Sequence, residues 1–140
     1  MTQHVTCPWE SVSWEESTYL EEPDGPPLIR VDVHRKFVGG PFEGESHGVL
    51  LCARPRKGSA GFVASEYVRA SLGERTGTFV VQHMAAMGPG HPGTPERLGI
   101  VVPDSGTGGW TGMTGECWFT HRDGRSVMLL SFDVPGAGAE

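Results

Sequence analysis

Residues 61–87 read GFVASEYVRASLGERTGTFVVQHMAAM, two runs rich in β-branched and aromatic residues joined by Gly73-Glu74. A two-residue link containing glycine between such runs is the mark of a tight antiparallel hairpin. Setting Leu72 opposite Arg75 brings Val68 against Phe79, Glu66 against Val81 and Ala64 against His83. Phe62, Val68, Phe79 and Val81 then share an apolar face. Glu66 and His83 fall on that face as diagonal neighbours, which long side chains can bridge. A carboxylate and an imidazole are thus expected to point inward. A slip of one residue at the turn would reverse this.

The same period-2 alternation continues on both sides of this hairpin. In Ile29–Phe37, the residues Ile29, Val31, Val33 and Phe37 take one face, and Arg30, Asp32, His34 and Lys36 the other. Glu45–Arg54 has a solid apolar centre at Val49, Leu50 and Leu51; His47 shares parity with Val49 and Leu51 and is an inward candidate. Arg97–Val102 is a short strand. Met113–His121 and Ser126–Val134 pair across Arg122-Asp123-Gly124-Arg125. Cys7–Trp14 supplies an edge strand that Pro8 weakens. Glu15–Pro27, Ala85–Glu96 and Pro103–Gly109 read as loops. No window of 11 residues carries helical periodicity. The expected fold is all-β: one domain over residues 1–140, a single antiparallel eight-stranded barrel.

In the last hairpin Cys117 falls opposite Leu130 and Phe119 opposite Met128. Met113, Gly115, Cys117, Phe119, Met128, Leu130 and Phe132 then belong to the inner wall. Trp118, Val127 and Leu129 are left outside, an apolar surface suited to a homodimer contact. The small inward residues Ala64, Gly77, Ala85 and Gly115 leave room inside the barrel, which at eight strands holds one small ligand or is filled.

Composition narrows the partners. A net charge of −6 over 140 residues argues against nucleic acid and against anionic membrane. No stretch approaches the roughly 20 apolar residues of a membrane span, and Met1–Pro8 lacks a secretory layout. Cys7, Cys52 and Cys117 make neither a disulfide framework nor a Cys-x-x-Cys, which suits a reducing cytoplasm. The six histidines form no His-x-His, His-x-x-x-His or Glu-x-x-His cluster, so neither a metal nor another cofactor is expected; the alternative is His47, Glu66 and His83 assembling in space. Ser105-Gly106-Thr107-Gly108-Gly109 lacks the lysine and helix start of a phosphate cradle and reads as a turn.

An ordered set of short motifs carries a family resemblance. It comprises Trp14-Glu15-Glu16; Gly44-Glu45-Ser46; Glu66 with Val68; Leu72-Gly73, Arg75 and Gly77; and Phe79-Val80-Val81-Gln82-His83. Val102-Pro103, Ser105-Gly106-Thr107-Gly108 and Gly112-Met113-Thr114-Gly115-Glu116 complete it. Together they resemble the bacterial family of domain of unknown function 3224. The resemblance implies an antiparallel barrel similar to allene oxide cyclase and distantly to lipocalins, a shape shared by cofactor-free cyclases.

Glu66 and His83 are therefore the candidate acid–base pair, or a polar clamp on an oxygenated ligand. His47, Phe62, Phe79, Val81, Trp110, Cys117, Phe119 and Met128 are the candidate pocket lining for a small apolar metabolite. The expected function is a cofactor-independent cyclase or isomerase of bacterial specialised metabolism. The alternative is a non-catalytic carrier or sensor of such a metabolite.

Overall fold

A computed structural model describes residues 1–93 and 98–135. These residues form eight strands that close in chain order into an antiparallel barrel. They are β1 (Gln3–Leu20), β2 (Leu28–Phe37), β3 (Phe42–Arg56), β4 (Ser59–Leu72), β5 (Arg75–Met87), β6 (Gly99–Val101), β7 (Thr114–Arg122) and β8 (Arg125–Asp133). A 3₁₀ turn, Gly108–Trp110, lies between β6 and β7.

The deciding hairpin turns as its residues require. Leu72 pairs with Arg75, Glu66 with Val81 and Ala64 with His83; Gly73 takes the positive φ of 63° that the two-residue link demands. The β7–β8 hairpin pairs Cys117 with Leu130 and Phe119 with Met128. Its link has Asp123 at φ 51° and Gly124 at φ 76°, the backbone of an Asp-Gly turn.

Three strand readings need correction. The first strand runs on through Leu20, so Glu15–Leu20 is not loop; it pairs along β2, with Glu15 opposite Asp32 and Thr18 opposite Ile29. Nor is it an edge. Gln3–Pro8 pairs with β8 and Trp9–Leu20 with β2, so Pro8 stands where the strand changes partner and its missing N–H costs little. The fifth run shortens to Gly99–Val101, while Thr94, Pro95, Glu96 and Arg97 lie outside the described residues.

The interior is packed. Phe37, Phe42, Val68, Phe79, Val81, Trp110, Met113, Cys117, Met128, Leu130 and Phe132 form one buried cluster. Burying each of its larger side chains contributes roughly 1.5–3 kcal/mol. The expected space beside Gly77 is taken by Trp110, whose indole donates to the Ala70 carbonyl at 3.1 Å. A Cβ on Gly77 would stand 3.2 Å from Trp110 Cδ1. Gly77 is small because the Thr107 carbonyl and the Trp110 indole lie on it. A second cluster, Val31, Val33, Leu50 and Ala64, fills the part of the barrel walled by β2–β4.

The outer face also differs from expectation. Val127 is buried, as is Pro8, its partner on β1. The turn between β2 and β3 folds back over this row: Val38 N–H donates to the Pro8 carbonyl, and Arg125 donates to the Val38 carbonyl. Trp118 and Leu129 are half-buried. An exposed apolar strip on β3–β6 comprises Leu51, Val63, Met84 and Ile100, each between 41% and 50% exposed.

Candidate functional site

Where the two interior clusters meet, β2, β3, β4 and β5 each place one polar side chain inward. Glu66 is 1% exposed, Arg35 6% and His83 8%. Arg35 grips the carboxylate with two nitrogens, Nε to Oε1 at 2.9 Å and Nη2 to Oε2 at 3.1 Å. Ser46 Oγ donates to Oε1 at 3.1 Å. His83 Nε2 lies 2.6 Å from Oε2.

Three donors on one carboxylate decide its charge. Burial alone would raise the Glu66 pKa, but the hydrogen bonds from His83 and Arg35 and their positive character outweigh it, bringing the group down to about 2. An ionised carboxylate only accepts hydrogen bonds, so the His83 Nε2 must carry the proton it shares with Glu66. The other ring nitrogen, Nδ1, has no hydrogen-bond partner among the described residues.

Aromatic rings hold His83 and Arg35 in place. The His83 ring stacks on Phe119, centroids 4.2 Å apart and 18° from parallel, and Phe62 meets it edge-on at 5.7 Å. The Arg35 guanidinium lies 4.4 Å over Trp9 and 4.8 Å over Phe119. Such cation–π contacts contribute roughly 0.5–2 kcal/mol when shielded from water. The Trp9 indole N–H is buried without a partner.

One side of this site opens. Because β6 has three residues and meets β7 at a single pair, Ile100 with Glu116, the wall between β5 and β7 is thin. A slot of about 50 Å³ lies there, lined by Phe62, His83, Ala85, Leu98, Trp118 and Phe119, with Met84 and Cys117 beside them. It shares His83, Met84 and Leu98 with a larger apolar groove of about 720 Å³, whose walls include Val49, Leu51, Val63 and Ile100. The groove runs outside β3–β6. His83 is the polar group where groove and slot meet.

The candidate residues divide by position. Glu66 and His83 come together inside the barrel. Phe62, Cys117 and Phe119 line the slot. Phe79, Val81, Trp110 and Met128 are fully buried in the main cluster and touch neither slot nor groove. His47 corrects the sequence reading, since it stands on the outer face, exposed. In the apolar centre of β3 it is Leu50 that turns inward while Val49 and Leu51 face out, because Ser46, Gly48 and Leu50 oppose Val68, Glu66 and Ala64. With His47 outside, the spatial set His47, Glu66 and His83 does not form.

Two members of the site were missed. Arg35 shares parity with Val33 and Phe37, so the alternation of β2 already placed it inward; its charge hid it. Ser46 shares parity with Leu50, and only the register of β3 could reveal it. Two of the thiols, Cys7 and Cys117, are buried and held in their neutral form. Burial, with the Glu66 charge adding to it, pushes Cys117 up to about 12; burial, with Cys117 nearby, does the same for Cys7.

The family described as Protein of unknown function (DUF3224) matches this chain over residues 5–133. A crystal structure of a protein of unknown function from the same family, from Shewanella oneidensis MR-1, is similar to it at a TM-score of 0.82 and 32% identity. That match covers 98% of this chain and all (100%) of the other. No curated protein matches the chain.

Proposed function

The chain belongs to the DUF3224 family, and from that premise we propose that it binds a small, largely apolar metabolite in the groove and slot beside β6, with His83 as the group that meets it. The observation that carries this reading is the 2.6 Å contact between Glu66 and His83 at the inner end of the slot. A histidine oriented by a buried carboxylate presents its second nitrogen in a fixed direction, and a carboxylate so placed stabilises the imidazolium that forms when that nitrogen takes a proton.

In its catalytic form the protein is a cofactor-independent isomerase or cyclase. The groove would hold a flexible apolar chain in a reactive shape, lowering the entropic part of the barrier. His83 Nδ1 would take or give a proton at the end that enters the slot, a contribution of roughly 10²–10⁴ in rate. The slot volume of about 50 Å³ favours a second reading as well. It admits a methyl or a hydroxyl group but not a whole ligand, so most of the ligand lies in the groove, as in a carrier.

Native mass spectrometry of the protein from its own cells, paired with peptide mapping after diethylpyrocarbonate, tests both readings. The expected result is a retained small molecule, carbethoxylation of His83, and protection of His83 when that molecule is bound. Ala85→Leu, in the wall of the slot, is expected to abolish ligand retention and carbethoxylation of His83. Return of the molecule unchanged favours the carrier; its conversion favours the enzyme. An unmodified His83 in the ligand-free protein contradicts both.

A further inference from the structure

A second imidazole–carboxylate cluster stands on the outer face of β2 and β3. His34 and His47 are directly opposed across the two strands, and Glu45 is the next outward residue along β3 from His47. The His34 Nε2 lies 2.9 Å from Glu45 Oε1 and the His47 Nε2 lies 3.5 Å from the same oxygen. The two rings are 3.8 Å apart. One ligand atom from each residue falls within 4.8 Å of the other two.

Those separations fit a metal. Two ligands each about 2.0–2.1 Å from a tetrahedral zinc stand about 3.3 Å apart. Two of the three separations, 2.9 and 3.5 Å, are already near that spacing, and all three lie within 4.8 Å on two paired strands. Two imidazoles and one carboxylate form a borderline donor set that takes zinc, cobalt, nickel or copper in preference to calcium or magnesium. Three protein ligands leave at least one position open. Beside them is a hollow of about 390 Å³, lined by Asp32, His34, His47 and Val49 with Ser13 and Gly48, which has room for water or a small ligand at that position.

We infer that His34, Glu45 and His47 form a three-ligand site for a divalent transition cation of the zinc class, open to solvent on the face opposite Glu66. Sequence spacing hides it, because only Glu45 and His47 share a strand and the third ligand comes from the neighbour. The site does not depend on the reading of His83, and its residues do not contribute to the barrel interior.

Titration of the metal-free full chain with Co²⁺, followed by visible absorption and calorimetry, tests the assignment. The expected result is one Co²⁺ per chain, displaced by Zn²⁺, with d–d bands and no thiolate charge-transfer band. His34→Gln, His47→Gln and the shape-preserving Glu45→Gln are each expected to weaken binding by at least about tenfold, with His4→Gln and His91→Gln unchanged as controls. Circular dichroism reads folding in every variant. Equal binding by a folded His34→Gln/His47→Gln double variant, a thiolate band, or no saturable binding would overturn the site.

Discussion

Two imidazole–carboxylate clusters, one on each side of the β2–β3 pair, sit in opposite surroundings. Inside, Arg35 and Ser46 join Glu66 and His83, all at most 8% exposed. Outside, on the alternate residues of the same strands, His34, Glu45 and His47 have side-chain exposures of 29%, 45% and 61%. The inner carboxylate is gripped by three donors and locked in its charged form. The outer one shares a single oxygen between two imidazoles and faces water. Burial therefore separates a fixed device from an exchangeable one: the same imidazole–carboxylate pairing orients a proton inside and can change partners outside.

Removing the carboxylate on each face is the sharpest break of that comparison. Glu66→Gln leaves the Arg35 guanidinium buried without a counter-charge, and the expected loss is about 3–5 kcal/mol in denaturant unfolding. Glu45→Gln, measured in the same way without metal, is expected to cost less than about 1 kcal/mol. Equal losses would dissolve the distinction.

Acid supplies the next test. The folded pKa of Glu66 lies below its ordinary value, at about 2 against 4.5. The stability it contributes is therefore complete above pH 4.5 and is lost as pH falls through about 2. That shift corresponds to about 3 kcal/mol. Unfolding curves collected from pH 6 to pH 2 should show this decline in the parent protein and a shallower one in Glu66→Gln.

A smaller effect sharpens the geometry. A Cβ on Gly48 would collide with the Ser65 carbonyl and stand 2.6 Å from Glu66 Cγ and 2.7 Å from Glu66 Cα, so Gly48→Ala is expected to push β4 away there and loosen the grip on the carboxylate. Overpacking of this kind costs about 1–3 kcal/mol. On the outer face, Gly61→Ala would meet only Ala86 Cβ at 3.7 Å and the Ala85 carbonyl at 3.8 Å. Its effect should stay within about 0.5 kcal/mol.

Much of the fold was legible because alternation and turn chemistry agree. Gly73-Glu74 and Asp123-Gly124 set two hairpin registers, and the first of them brings Glu66 to His83 without any long-range information. What the residues could not disclose were contacts between elements far apart in sequence. Trp110 arrives from the 3₁₀ turn to fill the space above Gly77. The β2–β3 turn covers Pro8 and Val127. In β3 three consecutive apolar residues erase the alternation, so His47 was assigned to the wrong face. Charge misled in the other direction: Arg35 lies on the inner parity of β2 but reads as a surface residue until Glu66 is seen opposite it.

Long-range ¹H–¹⁵N correlation of the His83 ring bears most directly on the buried pair. Glu66 as an ionised acceptor requires a proton fixed on Nε2, with distinct and unaveraged nitrogen shifts. An Nε2 without its proton, or shifts averaged between the two tautomers, would mean that Glu66 does not hold the ring, and the site at the slot would have no oriented group to offer a ligand.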